Sequence, residues 1–210
     1  MNGFPQNRYR AFTLRFRGKT NVLLNALHVS LPYDPRKDVN VKPPALIQCN
    51  AIWDTGATNS VITKNFVQKM GLIPTGKEKV TNTSSIELRN SYFINVALPN
   101  RVIIPYLKVT ECEDVLGNGN ADMLIGMDVI TVGDFAITYE DKKTVMSFIM
   151  PPVDTIDFVS VADSENRKLG ISEKFQAQKQ TRAPHQPSKK VLKAKRKKAR
   201  QNKKKNRRKH

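Results

Sequence analysis

The residues most able to do chemistry lie in Ile52-Trp53-Asp54-Thr55-Gly56-Ala57-Thr58. An apolar run, Ala45 to Trp53, leads straight into a single carboxylate, and glycine follows two residues later, where a sharp turn needs freedom in φ. A carboxylate held at the end of a strand can take or give a proton to a reacting group. A plain turn residue is the bland alternative. Further along comes a second element, Asp122-Met123-Leu124-Ile125-Gly126-Met127-Asp128-Val129-Ile130, again an apolar run stopped by glycine. Gly126 fits a strand-to-helix turn. Asp128 fits a helix start, where the dipole favours an acid. Trp53 reads as core filler because of its apolar bulk, with substrate contact as the alternative.

These residues need a frame, and the surrounding periodicity is that of strands. Phe12, Leu14 and Phe16 alternate with Thr13, Arg15 and Arg17, and Val22 to Leu31 reads as extended. Pro32 to Pro44 reads as a surface loop. Ser60-Val61-Ile62 is a short run. Thr63 then caps a helix of about two turns carrying Phe66, Val67 and Met70, and Gly71 stops it. Tyr92, Ile94, Val96 and Leu98 share one strand face. Pro105 marks an edge strand or a bulge in Val102 to Val109. Met123-Leu124-Ile125 is a buried strand, and Asp128 to Val132 is one helical turn. Phe135 to Tyr139 and Thr144 to Ile149 pair as a hairpin. Many short strands with little helix make an all-β domain.

Asp-Thr-Gly-Ala after an apolar strand, followed by the apolar-apolar-Gly element, resembles the retropepsin-like aspartic proteases. The likeness spans about residues 45–150. It implies a small closed β-barrel with one or two short helices, and an aspartic endopeptidase active only as a homodimer on peptide or protein substrates. Peptide hydrolysis needs a base to activate water and an acid to protonate the leaving nitrogen. Two neighbouring carboxylates divide those roles, because repulsion leaves one ionised and one protonated. The chain has one Asp-Thr-Gly and no second Asp-[Ser/Thr]-Gly, so the second carboxylate is expected from a second copy across a two-fold axis.

The resemblance assigns Asp54 to the dyad, Thr55 to a hydroxyl contact across the dimer, and Gly56 to close backbone approach. It puts Gly126 beneath the active loop and Ala57 and Thr58 beside the substrate. A flap over the substrate falls near Val80 to Tyr92, with Thr83, Ser84 and Ser85 at its tip. No glycine lies between Lys77 and Leu116, unlike most flaps. Thr58 replaces the acid of retroviral members, and Met127 and Asp128 stand near the place of their arginine, so the grip on substrate differs. A peptide-binding module of the same fold that does not cut is the alternative.

Charge locates a separate feature. The chain has 36 Lys and Arg against 18 Asp and Glu, a formal net charge of +18. Seventeen of those cations lie from Lys174 to His210, a stretch with no acid, which leaves 19 basic and 18 acidic residues before it. Lys195, Arg196, Lys197, Lys198, Arg200, Lys203, Lys204, Lys205, Arg207 and Arg208 have no aromatic among them. That favours phosphate neutralisation over base stacking. RNA, DNA, the ribosome and acidic protein surfaces are the candidate partners, with a solvated tail of no fixed use as the bland reading. A third function follows: a nucleic-acid-binding protein whose β-domain only dimerises. The expected organisation is 1–44 as N-terminal strands and loop, 45–152 as the protease domain, 153–173 as linker and 174–210 as a disordered basic tail. Cys49 and Cys112 form no C-x-x-C pair, so no cofactor, metal or disulfide is expected. Without an apolar leader or an 18-residue apolar run, the expectation is a cytoplasmic protein without a membrane span.

Overall fold

The computed structural model describes residues 8–81, 86–115, 117 and 119–170. Its strands are β1 (Arg10–Arg15), β2 (Leu23–Ser30), β3 (Ile47–Trp53), β4 (Val61–Thr63), β5 (Gly76–Thr81), β6 (Ile86–Ala97), β7 (Ile103–Cys112), β8 (Met123–Ile125), β9 (Asp134–Glu140) and β10 (Lys143–Met150). Two short helices, α1 (Lys64–Met70) and α2 (Met127–Ile130), interrupt them, and α3 (Phe158–Lys168) follows. The all-β expectation with a closed barrel holds. Strands run in the order β2-β3-β8-β4-β7-β6, and β6 pairs back to β2 through Val29 and Val96, which closes six strands. β5 extends β6 as a hairpin from Gly76↔Ser91 to Thr81↔Ile86, at the place expected for the flap. A second sheet, β1-β10-β9, is separate in its pairing.

Local chemistry accounts for the elements. The Thr63 hydroxyl accepts from the Phe66 N–H, and Gly71 sits at φ 64°, so α1 is capped at both ends by the residues its sequence offers. Its buried face is Phe66, Val67 and Met70. Tyr92, Ile94, Val96 and Leu98 are all buried, as their period of two requires. Pro105 lies in a bulge: the β6–β7 register slips between Ile94 and Val96, and Tyr106 takes φ 51°. Asn95 repairs the interruption, accepting from the Tyr106 N–H at 2.9 Å and donating to the Tyr33 carbonyl at 2.8 Å. The β9–β10 turn places Asp141 and Lys142 at φ 50° and 62°, the geometry of a tight two-residue hairpin.

The core runs through the barrel as Leu27, Val29, Cys49, Ile62, Phe66, Ile94, Val109, Met123, Ile125 and Val129. Phe12 of β1 and Phe148 of β10 carry it toward the second sheet, where Trp53 meets both and stacks on Phe135 at 5.7 Å. The described residues up to Thr155 form one compact unit, and those from Ile156 belong to a second. Within the second, α3 is capped by Asp157, whose carboxylate accepts from the Val159 N–H.

Candidate active site

Asp54 stands at the carboxyl end of β3, where the barrel holds the chain from both sides. β3 runs parallel to β8, with Trp53 opposite Ile125, and the Asp54 N–H donates to the Ile125 carbonyl at 2.9 Å. β4 returns antiparallel to β8, with Val61 opposite Leu124. The loop 54–60 is therefore stretched between two strands that share β8 as neighbour. The Asp54 side chain is half-buried, and its Oδ1 accepts from the Gly56 N–H at 2.8 Å. A Cβ on residue 56 would lie 3.1 Å from that same oxygen. Gly56 is not at positive φ, so the expectation that it supplies φ freedom is corrected: glycine serves here by letting its N–H close on the carboxylate.

Gly126 holds the loop from below. It is buried at φ −94°, and a Cβ there would come within 2.7 Å of the Asn59 carbonyl carbon, 2.8 Å of its oxygen and 3.0 Å of the Ala57 carbonyl. Space excludes a side chain at this position. Next to it the Met127 N–H donates to the Ala57 carbonyl at 2.8 Å and the Asp128 N–H to the Thr58 carbonyl at 3.2 Å. Asp128 lies in the first turn of α2, as a helix-start residue should, but both its oxygens are also engaged by Ser60. Oδ1 accepts from the Ser60 hydroxyl at 2.7 Å and Oδ2 from the Ser60 N–H at 2.9 Å. The Ser60 oxygen in turn accepts from the Gly126 N–H at 3.0 Å. Ser60 is fully buried, and sequence reasoning passed over it. A small hydroxyl just before a buried strand was the available signal, because a buried hydroxyl must find partners.

Trp53 is 3% exposed and donates from Nε1 to the Asn25 side-chain oxygen at 2.7 Å, so its polar atom is satisfied in the core, while its ring also borders the cleft beside Asp54. Thr55 and Thr58 are exposed on the loop and Ala57 is half-buried. A cleft of about 450 Å³ opens beside the carboxylate, walled by Asp54, Thr55, Val22, Leu124, Ile137 and Tyr139. One barrel therefore brings Asp54 and Thr55 to a cleft, with Gly56, Ala57 and Gly126 shaping the loop behind them. Thr83, Ser84 and Ser85 lie outside the described residues, as do the ten basic residues from Lys195 to Arg208.

A groove of similar size, about 500 Å³, lies among Tyr33, Pro43, Pro44, Leu46, Ile103 and Pro105. Its one acid, Asp34, is committed to Arg36, whose Nε and Nη2 reach both carboxylate oxygens at 3.0 Å. That guanidinium and the Arg36 N–H hold Asp34 below the usual carboxylate range, so it is a structural anion with no proton to trade near neutral pH. Neither thiol is poised for attack. Burial pushes Cys49 up, and pushes Cys112 up to about 11. Among the described residues no cluster of three His, Cys, Asp or Glu side chains is arranged to hold a metal. No described helix is long and apolar enough to cross a membrane.

No family model and no curated protein matches this chain. Among solved structures, it is similar to a retropepsin-like aspartic protease from Rickettsia conorii, at 14% identity over 68% of this chain and 95% of that one, with a TM-score of 0.40. The retroviral protease-like domain of Ddi1 from Leishmania major matches at 15% identity, over 60% of this chain and 94% of that one, with a TM-score of 0.33. A foamy viral protease–reverse transcriptase in complex with an RNA/DNA hybrid matches at 21% identity over 52% of this chain, which spans 12% of that longer one, with a TM-score of 0.32.

Proposed function

We propose that this protein is an aspartic endopeptidase that works as a homodimer. One observation carries the reading: a half-buried carboxylate at a strand end, held by the Gly56 N–H at 2.8 Å, opens onto a cleft whose walls are shared between polar and apolar side chains. A single acid cannot act as base and acid at once. Two Asp54 side chains facing each other across a two-fold axis can, since their repulsion keeps one protonated and one ionised. The ionised carboxylate takes a proton from water as its oxygen attacks the peptide carbonyl carbon. The protonated one delivers a proton to the departing nitrogen as the C–N bond breaks. The β5–β6 hairpin is the element that would close over a bound peptide. Thr83, Ser84 and Ser85 take the tip positions in this reading, and Thr55 links the two active loops.

The basic run from Lys174 adds a salt-dependent hold on polyanions such as RNA, DNA or the ribosome. In this reading the enzyme works in the cytoplasm with reduced thiols. The test uses the full chain and its Asp54→Ala variant on a diverse peptide mixture, with new termini read by mass spectrometry. Cleavage by the wild type alone, lost on dilution, is expected. A folded, dimeric wild type that produces no new termini would overturn the proposal.

A further inference from the structure

The charge of the chain before the basic run is unevenly placed. Residues 1–33 hold five cations, Arg8, Arg10, Arg15, Arg17 and Lys19, and no acid, while Asp34 to Glu173 hold 14 basic against 18 acidic residues. The fold sets those five along one edge. β1, Arg10–Arg15, has β10 on one side only. Beyond Arg15 the chain keeps to the same line: the Phe16 N–H donates to the Thr144 carbonyl at 3.0 Å, and the Thr144 N–H to the Gly18 carbonyl at 3.1 Å. Arg17 and Lys19 thus run beside the start of β10, where Lys142 of the hairpin turn and Lys143 add two more cations. A hollow of about 400 Å³ opens there, with Arg15, Arg17, Lys143 and the acids Glu140 and Asp141 in its walls.

Pairing with acids leaves most of this charge open. Arg36, Lys64, Arg89, Lys108 and Lys168 each have a carboxylate partner elsewhere. On this edge Arg15 pairs with Glu140 at 2.5 Å, but both side chains are 65% exposed, which makes it a weak surface pair. Arg10 is turned to the Arg101 carbonyl. Among the described residues Arg8, Arg17, Lys19, Lys142 and Lys143 are exposed and pair with no acid. Cations gathered in this way raise the local potential and draw polyanions to it.

We propose that this edge binds a single-stranded nucleic acid. Its open cations neutralise phosphates and release their counterions. Tyr9 decides among the polyanions. It stands between Arg8 and Arg10 at the head of β1, 55% exposed, and such a ring is a platform for an unstacked base. A duplex, an anionic bilayer and an acidic protein offer it no base. A bilayer would also need apolar side chains to bury, and from Arg10 to Lys19 no large hydrophobic residue is exposed. The site is separate from the C-terminal run, where Lys195 to Arg208 supply charge without a ring. It does not depend on the protease reading.

The test uses the full chain and a fluorescent oligouridylate, with affinity measured over a range of salt concentrations. Arg17→Ala/Lys19→Ala is expected to make the slope of log K against log salt shallower by about 1.4, two contacts at ~0.7 each for a single strand. Lys77→Ala/Lys79→Ala, which removes the same charge from β5, is expected to leave the slope unchanged. Tyr9→Ala is expected to weaken oligouridylate binding about fivefold or more, and to leave binding of inorganic polyphosphate, which has no bases, as it was. With bromouracil in the oligonucleotide, photocrosslinks should map to the peptide carrying Tyr9. Urea midpoints near wild type check that each variant is folded. Crosslinks confined to residues 174–210, or equal slopes for the two double variants, would overturn the proposal and leave the C-terminal run as the sole contact. Polyglutamate or phosphatidylserine vesicles that lose affinity with Arg17→Ala/Lys19→Ala while oligouridylate does not would also overturn it, in favour of an acidic protein or a membrane surface.

Discussion

Replacing Gly126 by alanine tests whether the active loop is held by contact with the backbone beneath it. The Cα conformation, φ −94° and ψ −172°, is open to any residue, so no dihedral penalty is involved. The obstacle is the 2.7 Å and 2.8 Å approach to the Asn59 carbonyl and the 3.0 Å approach to that of Ala57. Against a comfortable separation of ~3.5–4.0 Å, the new methyl is about 1 Å too close to main-chain atoms that have no rotamer to change. Overpacking of this kind costs ~1–3 kcal/mol. If the loop is pushed off, the Gly126–Ser60 hydrogen bond weakens too, adding ~0.5–1.5 kcal/mol. A total near 2–4 kcal/mol corresponds to a urea midpoint lower by about 1–2 M for an m-value of ~2 kcal/mol/M.

Gly71→Ala is the matched control. Its φ of 64° strains alanine by ~1–2 kcal/mol, but nothing lies within 4 Å of the added methyl. We therefore expect Gly126→Ala to lose more stability than Gly71→Ala. Gly126→Ala should also lose peptide cleavage by roughly 100-fold, the effect of a 1 Å misplacement at a reacting group, while Gly71→Ala keeps it. Equal midpoints for the two variants, or full cleavage by Gly126→Ala, would refute the steric account.

Removing the Asp128 carboxylate leaves the buried Ser60 N–H and hydroxyl without their acceptor, so Asp128→Ala should cost ~1–3 kcal/mol in urea unfolding, with Asp128→Asn between it and wild type; equal stability of all three would discount the clasp. For Asp34 the folded value is lowered, so its contribution is present above the ordinary carboxylate value of ~3.9 and fades as pH falls through the folded value. The stability gap between wild type and Arg36→Ala should accordingly be seen at pH 7 and narrow progressively on acidification below about pH 4, by thermal unfolding. Cys112 has the opposite sign: its folded value is raised to about 11, so its contribution is intact below the ordinary thiol value of ~8.5 and is lost as pH climbs toward 11. Native Cys112 should therefore react with a thiol reagent at pH 8 far more slowly than in urea, and equal rates would contradict its burial.

The elements were legible where the signal was local. Thr63, Phe66 and Gly71 state a helix with both caps in nine residues, and the alternation from Tyr92 to Leu98 states a buried face. Asp54 and Gly126 were found because each ends an apolar strand, and a strand end is where a barrel presents side chains. What sequence could not reveal depended on separations of tens of residues. Ser60 is ordinary until β4 folds antiparallel to β8 and brings it to Asp128, 68 residues away. Asn25 is likewise an unremarkable strand residue until its side chain meets the Trp53 indole, 28 residues on. Gly56 showed the limit of reading glycine by type alone, since close approach to Asp54, not φ, is its reason.

Trp53 and Asp54 are neighbours with different duties, and that adjacency explains how the site is held. A strand sends successive side chains to opposite faces. At the end of β3 the indole turns into the aromatic cluster with Phe12, Phe135 and Phe148, while the next side chain turns to the cleft. The cluster joins β3 of the barrel to β1, β9 and β10 of the second sheet, two of whose residues, Ile137 and Tyr139, wall the same cleft. The position of Asp54 relative to β9 is thus set by packed rings, whose χ angles have little freedom once buried. A carboxylate carried on a long surface loop would lack this link and would be free to shift against the cleft it serves.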